Sequence, residues 1–95
     1  ILNYTLGNLH LQTGDITNAI RQFEVSTAKF PNFRRAHKNL GLSLVKDAKY
    51  AEAIPALTRT LELGGVDATT YGLLAFCYLN MERYVAAEAA YRNAM

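Results

Sequence analysis

The stretch NLGLSL, residues 39–44, sets Gly41 inside what otherwise reads as a helix, although glycine costs about 1 kcal/mol there relative to alanine. A cost of that size needs a reason, and the rest of the chain supplies one. Shifting the sequence by 34 residues lays Leu6-Gly7 on Leu40-Gly41 and then on Leu74-Ala75. The same shift carries Ala19 to Ala53 and Ala87, Phe23 to Leu57 and Tyr91, Ile16 to Tyr50 and Tyr84, and Ser26 to Thr60 and Ala94. No insertion is needed. Columns of small residues alternate with columns of large apolar ones, which is what two helices need to approach closely and interlock. Gly41 gives up helix propensity so that a facing helix can come near.

Each unit divides into two helical stretches. In the first, Leu2, Leu6, Leu9 and His10 share a face, Gly14-Asp15 interrupts it, and Ile16, Ala19, Ile20, Phe23 and Phe30 resume it. FPNF at 30–33 ends the unit, and Asp15 and Asn32 are the expected N-caps of the helices that follow them. The second unit predicts helices over about 34–47 and 50–63, a stop at Gly64-Gly65, and Asp67 as the next cap. Pro55 deletes a backbone hydrogen bond inside its helix and predicts a bend. The third unit predicts helices from about 68 to 80 and from about 83 to the end. The units therefore span approximately 1–33, 34–67 and 68–95 of a single all-α domain.

With 51% apolar and 19% charged residues, these 95 residues make one modest soluble domain rather than a disordered or fibrous chain. The net charge of +2 is too small to imply nucleic acid or an anionic membrane surface. The longest apolar run, YGLLAFCYL at 71–79, is far short of the roughly 20 residues that span a bilayer. The expectation is a soluble protein, cytoplasmic by default, without membrane insertion. Cys77, the only cysteine, excludes an internal disulfide. The chain starts at Ile1 and stops at Met95 inside an apparent helix, so the sequence reads as a piece of something longer.

A helix-turn-helix period of this length resembles the tetratricopeptide repeat. Leu6, Gly7, Ala19, Phe23 and Pro31 carry the resemblance in the first unit, and Leu40, Gly41, Tyr50, Ala53 and Leu57 in the second. Tyr71, Leu74, Ala75, Tyr78, Tyr84, Ala87 and Tyr91 carry it in the third, which is incomplete. Asn3 and His37 stand where the family usually has a large aromatic, and Gly65 replaces the closing proline. The resemblance implies an α-α superhelix, a right-handed solenoid of antiparallel helix pairs whose first helices line a concave groove that binds other proteins.

No catalytic constellation is legible. His10 and His37 fall on non-equivalent places and neither has a helical partner that would complete a metal site or an acid-base pair. His10 reads as core-facing. Cys77 lies in the most apolar helix, where a thiol is inert packing rather than a nucleophile. No phosphate loop follows Gly64-Gly65. The expectation is a non-enzyme that takes no metal or other cofactor.

If the resemblance holds, Ile1, Tyr4, Asn8, Leu11 and Gln12 line the groove from the first unit. Arg35, Lys38, Leu42, Val45 and Lys46 line it from the second, and Thr69, Gly72, Phe76, Leu79 and Asn80 from the third. Tyr4, Leu42, Phe76 and Leu79 give an apolar floor, and Arg35, Lys38 and Lys46 a positive wall. Such a surface suits a peptide or helix offering apolar side chains and some acidic ones. Co-chaperones of the family clamp acidic C-terminal tails with Lys, Asn and Arg. Here Asn8 and Asn39 fit two of those places, while Tyr4, Thr69 and Leu73 occupy the others, so the clamp is broken.

Arg34, Arg35, Lys38, Lys46 and Lys49 gather around one helix, yet no base-reading motif accompanies them, which disfavours nucleic acid. The last helix shows Tyr84, Tyr91 and Met95 with few charges, whereas terminal repeats need a polar outer face. Further repeats, or a homo-oligomer formed through this end face, would cover it.

Overall fold

The computed structural model describes residues 1–64 and 67–95. Six helices follow one another, α1 (Leu2–Gln12), α2 (Ile16–Lys29), α3 (Arg34–Lys46), α4 (Tyr50–Leu63), α5 (Ala68–Asn80) and α6 (Tyr84–Ala94). No strand occurs among the described residues. Each helix packs on the next, and the first helices also touch in succession, α1 with α3 and α3 with α5. The second helices α2, α4 and α6 do not. An array in which only one set of alternate helices is in mutual contact curves toward that set, so α1, α3 and α5 lie on its inner side.

The small-residue columns do what the sequence asks of them. Ala19, Ala53 and Ala87 are buried, as are Gly7, Gly41 and Ala75. A Cβ placed on Gly41 would lie 2.5 Å from Leu57 Cδ2 and 2.7 Å from its Cγ, and one on Gly7 would lie 2.6 Å from the Phe23 ring. Phe23 and Leu57 are completely enclosed. Burying side chains of that size stabilises by roughly 1.5–3 kcal/mol each, more than a helical glycine gives up.

The turns inside the pairs repeat as faithfully as the helices. Gly14, Ala48 and Glu82 all adopt positive φ, at 83°, 59° and 60°. The next residue then bonds back across the turn, Asp15 to His10, Lys49 to Leu44 and Arg83 to Tyr78, each at 2.8 Å. This is the left-handed helix stop that satisfies the last carbonyls of the first helix. Glycine announces it only at position 14.

Asp15 and Asp67 cap α2 and α5, accepting from the backbone N–H of Asn18 at 3.4 Å and of Thr70 at 3.2 Å. Asn32 does not cap α3. The chain turns at 30–33 through a Phe33 N–H to Phe30 carbonyl bond of 3.0 Å, so Phe33 becomes the N-cap residue. The Asn32 side-chain amide oxygen Oδ1 instead accepts from Arg59 of α4 at 3.0 Å. Pro55 does not end α4, which runs on to Leu63. Pro55 and Ala51 are both exposed, so the carbonyl left without a donor faces water. Gly64 follows α4 as its C-cap residue, whereas Gly65 lies outside the described residues.

The face expected of α1 is only partly interior. Gly7 is its one buried residue, Leu6 is half-buried, and Leu2 and Leu9 are 71% and 54% exposed. His10 is half-buried at the turn, its Nδ1 3.6 Å from the Asp15 carboxylate, rather than in the core. Phe30 is exposed as well, because α1 has a neighbouring pair on one side only.

Candidate functional site

The inner face is built from α1, α3 and α5. At its α1 end Tyr4 is wedged between aromatic rings, 4.7 Å from Phe33 and 6.0 Å from Phe23 between centroids. Asn39 of α3 bridges to α1, its amide donating to Asn8 Oδ1 at 2.7 Å and to the Tyr4 hydroxyl at 3.4 Å. Asn8 and Asn39 are therefore engaged with each other. Leu11, Leu42 and Val45 are half-buried, and Val45 packs against the core. At the α5 end Phe76 and Leu79 are 43% and 44% exposed. Phe76 is held edge-on against Tyr50 of α4 with centroids 5.8 Å apart, which fixes the ring while leaving its outer face free.

The basic residues divide. Lys38 Nζ lies 2.8 Å from Asp67 Oδ2, and Arg34 reaches the same oxygen at 3.0 Å. Asp67 thus joins α3 to the start of α5 while capping α5. Burial alone would raise its pKa, but hydrogen bonds from Lys38, Thr70 and Arg34 outweigh that and hold the carboxyl well below the usual carboxylate range. Arg35 and Lys46 are exposed and make no ion pair among the described residues. Of the expected positive wall, two cations stand free and the third is shared with Asp67. The sequence marked Asp67 only as a cap, and a pairing partner 29 residues away leaves no local signal. Tyr50, which steadies Phe76, was legible only as a repeat-column residue.

Cys77 is fully buried, and burial pushes its thiol up to about 11, so it is an unreactive packing group. No group of three His, Cys, Asp or Glu side chains is placed to hold a metal ion among the described residues. No described helix is long and apolar enough to cross a membrane. A cavity of about 280 Å³ opens on the other side of the array, between α2 and α4 over Leu40 and Leu44.

The tetratricopeptide repeat model matches residues 4–64 and again 38–94. The chain belongs to the tetratricopeptide repeat family. Tetratricopeptide repeat-containing protein trd-1 of Caenorhabditis elegans is 30% identical over 86 residues, which are 90% of this chain and 11% of that protein. Among solved structures, MamA from Desulfovibrio magneticus RS-1 matches with a TM-score of 0.92 at 27% identity, over 97% of this chain and 52% of that one. A chain of the CopN-Scc3 complex matches with a TM-score of 0.92 at 24% identity, over 97% and 54%. The present chain therefore spans about half of these structures. The family model sets the chain among tetratricopeptide repeat proteins, and the solved neighbours share its helical fold.

Proposed function

We propose that this chain is a non-catalytic module, built from units 1–33, 34–67 and 68–95, that lays an extended or helical segment of another protein across α1, α3 and α5. Tyr4, Leu42, Phe76 and Leu79 supply the apolar contacts. Arg35 and Lys46 select acidic side chains, and Asn8, Leu11 and Val45 complete the surface, with Lys38 contributing from its place beside Asp67. The observation that carries the reading is the half-exposed pair Phe76 and Leu79, with the Phe76 ring held by Tyr50, on the face where the first helices meet. Exposed apolar area rimmed by charge on a soluble domain marks a contact surface.

The test begins with a peptide selected for binding from a displayed library. Phe76→Ser and Arg35→Glu should each weaken that peptide at least tenfold in fluorescence polarisation, while Glu52→Lys on the opposite side leaves it unchanged. Lys38→Glu is unsuitable, because it would place two carboxylates together and disturb the α3–α5 joint. Equal affinity for wild type, Phe76→Ser and Arg35→Glu, with helical content intact, sinks the groove.

A further inference from the structure

Behind the inner face the array opens a second surface. Two adjoining cavities of about 280 and 160 Å³ share Glu24, Leu44 and Glu52, so they form one furrow between α2 and α4 with α3 beneath it. The furrow exists because α3 packs on both α2 and α4 while those two helices do not touch. Helix α1 lies against α2 and α5 against α4, so helix pairs added before α1 or after α6 would lengthen the array and leave the furrow open.

Its floor is apolar and its banks are charged. Ile20, Leu44 and Ala56 close the bottom at 7%, 5% and 7% exposure, with Leu40 half-buried alongside. Glu24 on α2 and Glu52 on α4 stand on opposite banks and line both cavities, and neither carboxylate is ion-paired among the described residues. The neighbouring cations are engaged elsewhere. Lys49 lies 3.4 Å from Asp47, and Arg59 is held by Glu62 at 3.4 Å and by Asn32 at 3.0 Å. His37 donates through Nε2 to the Pro31 carbonyl at 2.8 Å, and Arg21 lines the smaller cavity only. The larger cavity is left with two unmatched negative charges above an apolar bed.

Pro55 points the same way. It lines the larger cavity, at the cost to α4 of an interior hydrogen bond. A local rule broken with no gain to the fold is expected at a working surface.

We propose that this furrow receives an arginine side chain from a segment of another protein, its aliphatic stem on Leu40, Leu44 and Ala56 and its guanidinium between Glu24 and Glu52. Long cationic side chains lay their stems on apolar surface and keep the charged head at the water. A guanidinium presents a planar fork of donors that can serve two carboxylates at once, which a compact ammonium does less well. The charge sought here is opposite to that sought on the inner face, where Arg35 and Lys46 stand free, so the two sides of the array take different segments.

The test is an NMR titration of the chain labelled at its isoleucine and leucine methyl groups. The probe is the peptide acetyl-Leu-Ala-Arg-Ala-Leu-amide, with counterparts carrying lysine, glutamine or glutamate at the centre. The arginine peptide should shift the methyl signals of Ile20, Leu40 and Leu44 to saturation and leave Leu11 and Leu79 in place. The lysine peptide should bind more weakly, and the glutamate peptide should leave all of these signals unmoved. Glu24→Gln and Glu52→Gln, both at exposed positions, should keep the circular dichroism spectrum and each weaken the arginine peptide roughly threefold to fivefold, the range of an exposed ion pair. The double variant should no longer distinguish the arginine peptide from the glutamine one. Shifts that fail to saturate, or that the glutamate peptide reproduces, overturn the inference. So does equal affinity of wild type and the double variant, which would leave the furrow an apolar crevice without charge selection. If N-acetylarginine amide alone binds as tightly as the peptide, the furrow belongs to a small cationic molecule and the protein segment is ruled out.

Discussion

At Gly41 two opposing terms can be weighed directly. Alanine would gain about 1 kcal/mol of helix propensity, but its Cβ would sit 2.5 Å from Leu57, a fully buried side chain. Overpacking of a closed core costs about 1–3 kcal/mol, so Gly41→Ala is expected to destabilise by up to about 2 kcal/mol net. Gly72, also helical, would meet nothing within 4 Å, so Gly72→Ala should stabilise by up to about 1 kcal/mol. Thermal melts of the pair should move in opposite directions, and a shift of the same sign would remove the close-approach account of Gly41. Asp67 offers a second measurement at this scale. Its folded pKa is depressed, so its contribution is present above the unfolded value near 3.9 and is lost as pH falls through the folded one. Asp67→Asn keeps a capping oxygen but removes the charge facing Arg34 and Lys38. It should cost about 1–2 kcal/mol at neutral pH, given partners about one-third exposed, and the difference from wild type should narrow as pH drops from 4 toward 2. Urea midpoints across that range check it, and a pH-independent difference would assign the effect to capping geometry alone.

At the scale of the helix, α4 carries an avoidable cost. Pro55 removes one interior hydrogen bond, and the aligned positions in α2 and α6 are Arg21 and Ala89, which keep theirs. Because Pro55 is exposed, Pro55→Ala should raise stability by about 1–3 kcal/mol, seen as a later urea midpoint. An unchanged midpoint would mean that α4 is already relaxed around the ring. The helices themselves were legible because every boundary recurs in phase, so a weak signal in one unit is supported by two others. The turns were less so. Gly14 is an open marker of a left-handed residue, but Ala48 and Glu82 take the same φ under tertiary constraint and carry no mark of it. The cap of α3 was misplaced for a related reason. Asn32 is the better capping residue by type, yet Phe33 must reach Tyr4, and that contact sets where the helix begins. Of the inner face, the apolar residues were readable from their columns, whereas the withdrawal of Lys38 toward Asp67 depends on a three-dimensional approach that no spacing encodes.

At the scale of the whole molecule, stability is a sum over neighbours, because each helix contacts only elements close to it in the chain. The central helices α3 and α4 are enclosed by the pairs on either side and hold fully buried Ala36, Ser43, Leu57 and Thr60. At the ends, α1 buries only Gly7, and α6 buries only Ala87 and Ala90. Local opening should therefore cost least at the two ends and most in α3 and α4. Hydrogen exchange read by mass spectrometry in dilute solution is expected to protect α3, α4 and the Leu74–Cys77 stretch of α5 longest, with α1 and α6 exchanging first. Uniform protection would mean that the array opens as one unit and that the end faces cost it nothing.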